Sequence, residues 1–197
     1  MNSCILLLIF WLLLQLYNTY TVPLKRSINK YLIGNVNVPY KEVKYLYRST
    51  DKRRQLFDDL LRDVTVLIKW CESNRFPTQR DAERLASNWK NIQINETTYR
   101  DHVAYVIDKN RKFYLCASTP DGSNEDPNTM RFVVIHELAH MMSESYGHTE
   151  EFSEHFLQLI RVATHLGLYD PVNYSKNPVI YCGTKISHTP CETASCT

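Results

Sequence analysis

The sequence has no long run of one charge. Its 23 Lys and Arg stand against 21 Asp and Glu, a formal net charge of +2 over 197 residues. That balance leaves no basic tail of the kind that holds nucleic acid. The one basic cluster, Lys52-Arg53-Arg54, is followed by Asp58 and Asp59 and reads as a solvated helix face. A compact cysteine framework is missing too. The six cysteines, at 4, 71, 116, 182, 191 and 196, are widely scattered, and Cys4 lies inside an apolar run. Cys182, His188, Cys191 and Cys196 gather near the C-terminus, but their spacing matches no usual zinc-ligand pattern. Free thiols, or a single disulfide if the tail lies outside the cytosol, are what this distribution suggests.

The start of the chain lacks a basic n-region. No Lys or Arg precedes Lys25, and no A-x-A-like cleavage site follows the apolar stretch. What is present is CILLLIFWLLLQLY over residues 4–17, within an uncharged length, 1–24, that suffices to span a bilayer. Lys25, Arg26 and Lys30 follow it, and such flanks keep the adjoining domain on the cytoplasmic side. Residues 1–24 are therefore expected to form an apolar helix serving as membrane anchor, with a signal segment as the alternative. The domain then faces the cytoplasm or virion interior, or is secreted after signal cleavage. Asn95-Glu96-Thr97 and Asn173-Tyr174-Ser175 are glycosylation sequons, meaningful only in a lumenal domain.

Residues 25–50 read as a linker. From Asp51, the spacing of Leu56, Leu60, Leu61, Val64 and Ile68 predicts a helix to about Cys71. Thr78 can cap a second helix carrying Ala82, Leu85, Ala86 and Trp89. The period then changes: 103–107 and 112–116 flank Asp108-Lys109-Asn110-Arg111 as the strands of a hairpin. A strand beside the active-site helix can either hold an extended peptide by its backbone or merely cover the helix. After Pro171 the chain reads as irregular, with residues 186–197 as a C-terminal tail.

The centre of the chain is FVVIHELAHMMSESYGHTEEFSEHF, residues 132–156. His136, Glu137 and His140 spell H-E-x-x-H, which chance composition would supply roughly 0.014 times in this chain. On a helix, residues four apart share a face, so His136 and His140 can present two imidazoles to one Zn²⁺. Glu137, about 100° round the helix, can reach a water on that ion and act as general base. The apolar positions Ile135, Leu138, Ala139 and Met142 supply the packed stripe. A buried helix with two satisfied core histidines is the bland alternative.

A third ligand must lie downstream. The metzincin pattern would need Gly at 143 and His at 146, but Ser143 and Tyr146 stand there. Gly147 is expected to end the helix as its C′ residue, and His148 follows at once. Thr149 can cap a second site helix, 150–166, with Glu150 and Glu151 in its first turn. His148 is preferred as the third ligand, because catalytic sites of three histidines are well precedented. Glu151, Glu154 and His155 are its competitors. Glu144 and Glu151 are candidate acceptors for a ligand imidazole. Tyr146, Tyr174, Tyr181 and His188 are unranked candidates for stabilising an oxyanion.

HELAH followed by Gly147-His148-x-x-Glu151-Phe152 resembles the WLM and SprT-like zinc metallopeptidases. The continuation FLQLIRVATHLGLYDPVNYSKNPVIYCG is most similar to WLM-type proteins of large DNA viruses. The resemblance covers roughly residues 90–185 and implies that the His of G-H-x-x-x-F, His148, is the third zinc ligand. It implies a zincin-like α+β domain over 51–185: an active-site helix, a short antiparallel sheet and a second, ligand-bearing helix, behind the N-terminal apolar helix. It also implies hydrolysis of peptide bonds in a protein or peptide substrate. Two other readings remain: a catalytically silent, zinc-bound membrane or virion interaction protein, and a DNA-associated repair protease. The intact Glu137 speaks against the first. The apolar start and near-neutral charge speak against the second.

Overall fold

The computed structural model describes residues 43–44, 51–97, 104–109 and 112–190. All of them fall within the compact unit Val38–Thr197. The elements run β1 (Val43–Lys44), α1 (Asp51–Asn74), α2 (Gln79–Asn91), β2 (Gln93–Thr97), β3 (Ala104–Ile107), β4 (Lys112–Cys116), α3 (Pro127–Met142), α4 (Glu150–His165), β5 (Val179–Tyr181) and β6 (Thr184–Ile186).

Helix α3 is the hub. Its buried residues lie all round its circumference and include Met130, Phe132, Val134, Leu138 and Met141. A helix apolar on every side must be enclosed, and α3 touches α1, α2, α4 and β3. Asp126 starts it as N-cap, its carboxylate accepting from the Thr129 amide at 2.7 Å, with Pro127 in the first turn. Helix α1 supplies Phe57, Leu60, Val64 and Leu67 to the same core, α2 supplies Leu85 and Trp89, and α4 supplies Phe156, Leu159 and Ile160. Thr78 caps α2 and Thr149 caps α4, each side chain accepting a backbone N–H.

The fold is α+β, but the expected make-up of the domain needs correction in three respects. First, no apolar N-terminal helix is among the described elements. Residues 1–24 lie outside the described residues, as does the linker 25–50 apart from Val43–Lys44. Among the described residues, no helix is long and apolar enough to cross a membrane. Second, the sheet is mixed. Its order is β1-β2-β4-β3, with β1–β2 and β2–β4 parallel and only β3–β4 antiparallel. The central strand β2, Gln-Ile-Asn-Glu-Thr, is too polar to announce itself, yet Asn95, Glu96 and Thr97 are buried. Arg53 of α1 lies 3.5 Å from the Glu96 carboxylate, countering part of its desolvation. Third, the second site helix carries none of the three clustered histidines, because His148 precedes it.

The stretch after Pro171 is also not irregular throughout. Strands β5 and β6 form an antiparallel hairpin around Cys182-Gly183, both at positive φ (46° and 76°), the backbone that a two-residue turn of this kind requires. A disulfide joins Cys182 to Cys116 at the end of β4. It ties this hairpin to the main sheet, together with the Tyr181 hydroxyl, which donates to the Cys116 carbonyl.

Candidate metal centre

His136 and His140 project from one face of α3, and His148 folds back onto them from the loop between α3 and α4. Their ligand nitrogens all lie within 4.8 Å of one another, and Nε2 of His136 is 3.1 Å from Nε2 of His148. Two nitrogens at 2.0–2.1 Å from one tetrahedral ion stand about 3.3 Å apart, so the three imidazoles can hold a zinc ion with little movement. Burial pushes the His136 ring down to about 3, helped by the neighbouring His140 and His148. Burial, His148 and Lys109 push His140 down to about 4. Both are therefore neutral at physiological pH, the form in which imidazole donates a lone pair to a metal.

The helix ends earlier than the glycine suggested. Helix α3 stops at Met142 with Ser143 as C-cap, and Gly147 (φ 82°) lies four residues on, within the loop. Ser143 stops it because its hydroxyl donates back to the Ala139 carbonyl at 2.8 Å and meets His155 Nδ1 at 2.9 Å. The carbonyls left over are claimed from neighbouring elements. Arg84 donates to Met142 at 2.6 Å, and Asn88 to Met141 at 2.8 Å. Lys109, from the β3–β4 turn, donates to Ser143, Glu144 and Ser145 at 2.7, 3.1 and 2.6 Å. These cations sit where the helix dipole favours them.

The competing ligands are accounted for elsewhere. Glu151 accepts from the Glu144 amide at 2.7 Å, the Ser145 amide at 2.9 Å and the Ser145 hydroxyl at 2.6 Å. Those bonds outweigh its partial burial and hold its carboxyl down at about 2. Glu151 thus shapes the loop that carries His148 instead of meeting the imidazoles. His155 is buried against Ser143, with Asp81 3.7 Å from its Nε2. Glu154 is exposed and outside the histidine cluster, and Glu144 pairs with Arg80 at 3.0 Å. Neither Glu144 nor Glu151 therefore orients the candidate ligands. An aromatic ring does that instead: Phe152 lies 4.9, 4.2 and 4.8 Å from the rings of His136, His140 and His148, stacked on His140. This gives a physical role to the Phe of the G-H-x-x-x-F segment, which spacing alone did not supply.

Glu137 is 7 % exposed, and burial pushes its carboxyl up to about 7. It lines a cavity of about 680 Å³ together with His136 and His148, and with 184–190 on the opposite wall. Of the four oxyanion candidates, only His188 lines that cavity. Tyr181 is spent on the Cys116 carbonyl, Tyr174 is buried against Phe132 (4.6 Å), and Tyr146 is exposed beneath the Lys109 ammonium (4.4 Å). Strand β3 is one edge of the sheet, and its Ala104 lines the same cavity.

Proteins similar to the chain include three from viruses. It is 29% identical over 153 residues to "Uncharacterized protein R325" of Acanthamoeba polyphaga mimivirus, covering 76% of this chain and 74% of that one. It is 37% identical over 114 residues to "Uncharacterized protein 042R" of Invertebrate iridescent virus 3, covering 57% and 69%. It is 32% identical over 99 residues to "Uncharacterized protein 136R" of Invertebrate iridescent virus 6, covering 48% and 53%. No family model matches the chain, and no solved structure does so either.

Proposed function

The chain belongs to the family of the iridescent-virus protein 042R, and within that family we propose that it is a zinc-dependent metallopeptidase of the WLM and SprT-like kind. The observation that supports this reading is the meeting of three imidazoles, His136, His140 and His148, two of which, His136 and His148, share a cavity with the buried carboxylate of Glu137. A structural zinc site is usually closed by four protein ligands, often Cys, and would have no use for Glu137. Zinc, when bound, supplies a Lewis acid and lowers the pKa of a water to about 7.

The chain's own residues do the rest. Glu137, raised towards neutrality by burial, takes a proton from the attacking water and returns it to the departing amine. The proton moves between water and a Glu137 carboxylate oxygen, and no covalent enzyme intermediate is needed. The edge of β3 would offer backbone groups to an extended peptide, and His188, which lines the same cavity, is the side chain we assign to the carbonyl oxygen as it gains charge. Phe152 and Phe156 shield the imidazoles from one side, keeping water from competing there.

Metal analysis tests the site. The full chain should bind about one zinc ion, and His136→Ala or His140→Ala should abolish stoichiometric binding, as loss of one ligand in three does. His148→Ala should weaken zinc affinity severely. Glu151→Ala, which only loosens the loop, should cost no more than roughly tenfold, the low end for residues behind the ligands. Glu154→Ala should change nothing. Full zinc in a chain lacking both His136 and His140 would remove the basis of the proposal.

We further place the domain on an oxidising side of the membrane, with residues 1–24 as the targeting segment. The Cys116–Cys182 disulfide supports this against the flanking Lys25, Arg26 and Lys30, since such bonds are rare in the cytosol. Asn95 is buried in β2, so Asn173 is the usable reporter. Expressed in a eukaryotic cell, the chain should carry a glycan that Asn173→Gln removes. An unglycosylated chain with reduced cysteines would return the domain to the cytoplasmic side.

A further inference from the structure

The cavity beside the histidines has two chemically different parts. Glu137, His136 and His148 form its polar end, and Glu137 contributes the only carboxylate among its lining residues. Its other wall is apolar: Phe132, Val133, Phe152 and Phe156 from the two site helices, faced by half-buried Ile186 and Pro190 of the C-terminal strap. Lys185, Ser187 and His188 belong to the same strap but are exposed, at the rim. At about 680 Å³ the space far exceeds what one water or ion needs, and it lies within the range of sites that enclose organic ligands.

The strap is held in place. Behind it, Cys182 is bonded to Cys116, the Cys182 amide donates to Glu125 at 2.9 Å, and Tyr181 is fully buried. The apolar wall is therefore held in the same cavity as His136, Glu137 and His148. A peptide whose scissile amide lies at Glu137 must put a neighbouring side chain into the apolar part.

We propose that the space between the aromatic face of the site helices and the strap 184–190 is a pocket for one bulky apolar side chain, selecting peptides with Phe, Leu or Met next to the cleaved bond. This rests on the peptidase reading for the word "cleaved", but the pocket itself does not. A charged side chain entering the apolar part would lose its hydration and meet charged groups only at the rim and the polar end, whereas an apolar one gains by the same transfer. Discrimination of about tenfold or more against Gly or Asp is the scale such pockets reach.

The zinc-loaded full chain is incubated with an unfolded protein, and the cleaved bonds are mapped by mass spectrometry. Bonds with Phe, Leu or Met at one fixed position should be cut about tenfold more often than chance. Ile186→Asp should erase that preference at unchanged zinc content. Ile186→Trp, which fills the pocket without placing a charge there, should shift it to small residues and stands in should the Asp variant not fold. Cleavage without side-chain preference, or the same preference in the folded variants, overturns the pocket while leaving the peptidase intact. If no bond is cut, equilibrium binding of blocked Gly-Phe-Gly and Gly-Asp-Gly peptides decides. Tenfold tighter binding of the Phe peptide, lost in Ile186→Trp, keeps the pocket and discards the peptidase. Equal binding, or none, discards the pocket.

Discussion

Replacing Glu137 with Gln is expected to lower peptide-bond turnover by about a hundredfold or more while zinc content stays at one per chain. The side chain is buried, which raises its carboxyl to about 7, and it is no member of the histidine cluster. Glutamine keeps its size and part of its hydrogen bonding but cannot accept the proton. A positioned general base is worth roughly two to four orders of magnitude, so the loss should appear in kcat rather than in metal affinity. Glu137→Asp, which draws the carboxylate back by one methylene, should fall between the two. Equal turnover in wild type and Glu137→Gln would mean that the carboxylate is no base. The cavity would then have to find its proton acceptor elsewhere, and among the described residues no other carboxylate lines it.

Opening the Cys116–Cys182 disulfide is expected to cost about 4 kcal/mol of stability, the chain-entropy value for a loop of this length. The two cysteines are 66 residues apart, and both are buried, so the bond closes a long loop that contains α3, α4 and β5. For a domain of this size the loss corresponds to a fall in melting temperature of about 10 °C. Cys116→Ser with Cys182→Ser is the cleaner test, because the serines avoid thiol exchange. The same change frees the strap that walls the cavity, so peptide binding should weaken before the fold is lost. Thermal unfolding with and without reductant checks the first point. A melting temperature indifferent to reductant would show that the buried Tyr181 and the Cys182–Glu125 contact hold the hairpin on their own.

Much of this site was written locally in the chain. H-E-x-x-H needs only one helical turn to converge, and His148 follows a glycine close enough to fold back. Thr78 and Thr149 announced their helices because capping is settled within three residues. What was not legible depends on distant partners. Strand β2 is polar and central, and it is acceptable there only because Arg53, 43 residues earlier in the chain, approaches Glu96. The two-residue β1 is too short to carry any period. The pairing of Cys116 with Cys182 follows from the fold and not from spacing. Lys109 looked like an ordinary turn residue, yet it takes three carbonyls at the end of α3. The early stop of α3 at Met142 was hidden for the same reason: Ser143 ends the helix through His155, a partner on α4. Tyr181-Cys182-Gly183 between alternating residues is the mark of a tight hairpin, and it lies at the cavity wall.

The central claim is that this chain hydrolyses peptide bonds with zinc held by His136, His140 and His148. The most direct measurement follows chain scission of an unfolded protein by the zinc-loaded full chain, with and without a chelator. New fragments that appear with zinc, stop on chelation and return when zinc is restored are the expected result. Intact substrate under all three conditions, from a chain carrying one zinc ion, would contradict it and leave a zinc-stabilised interaction domain.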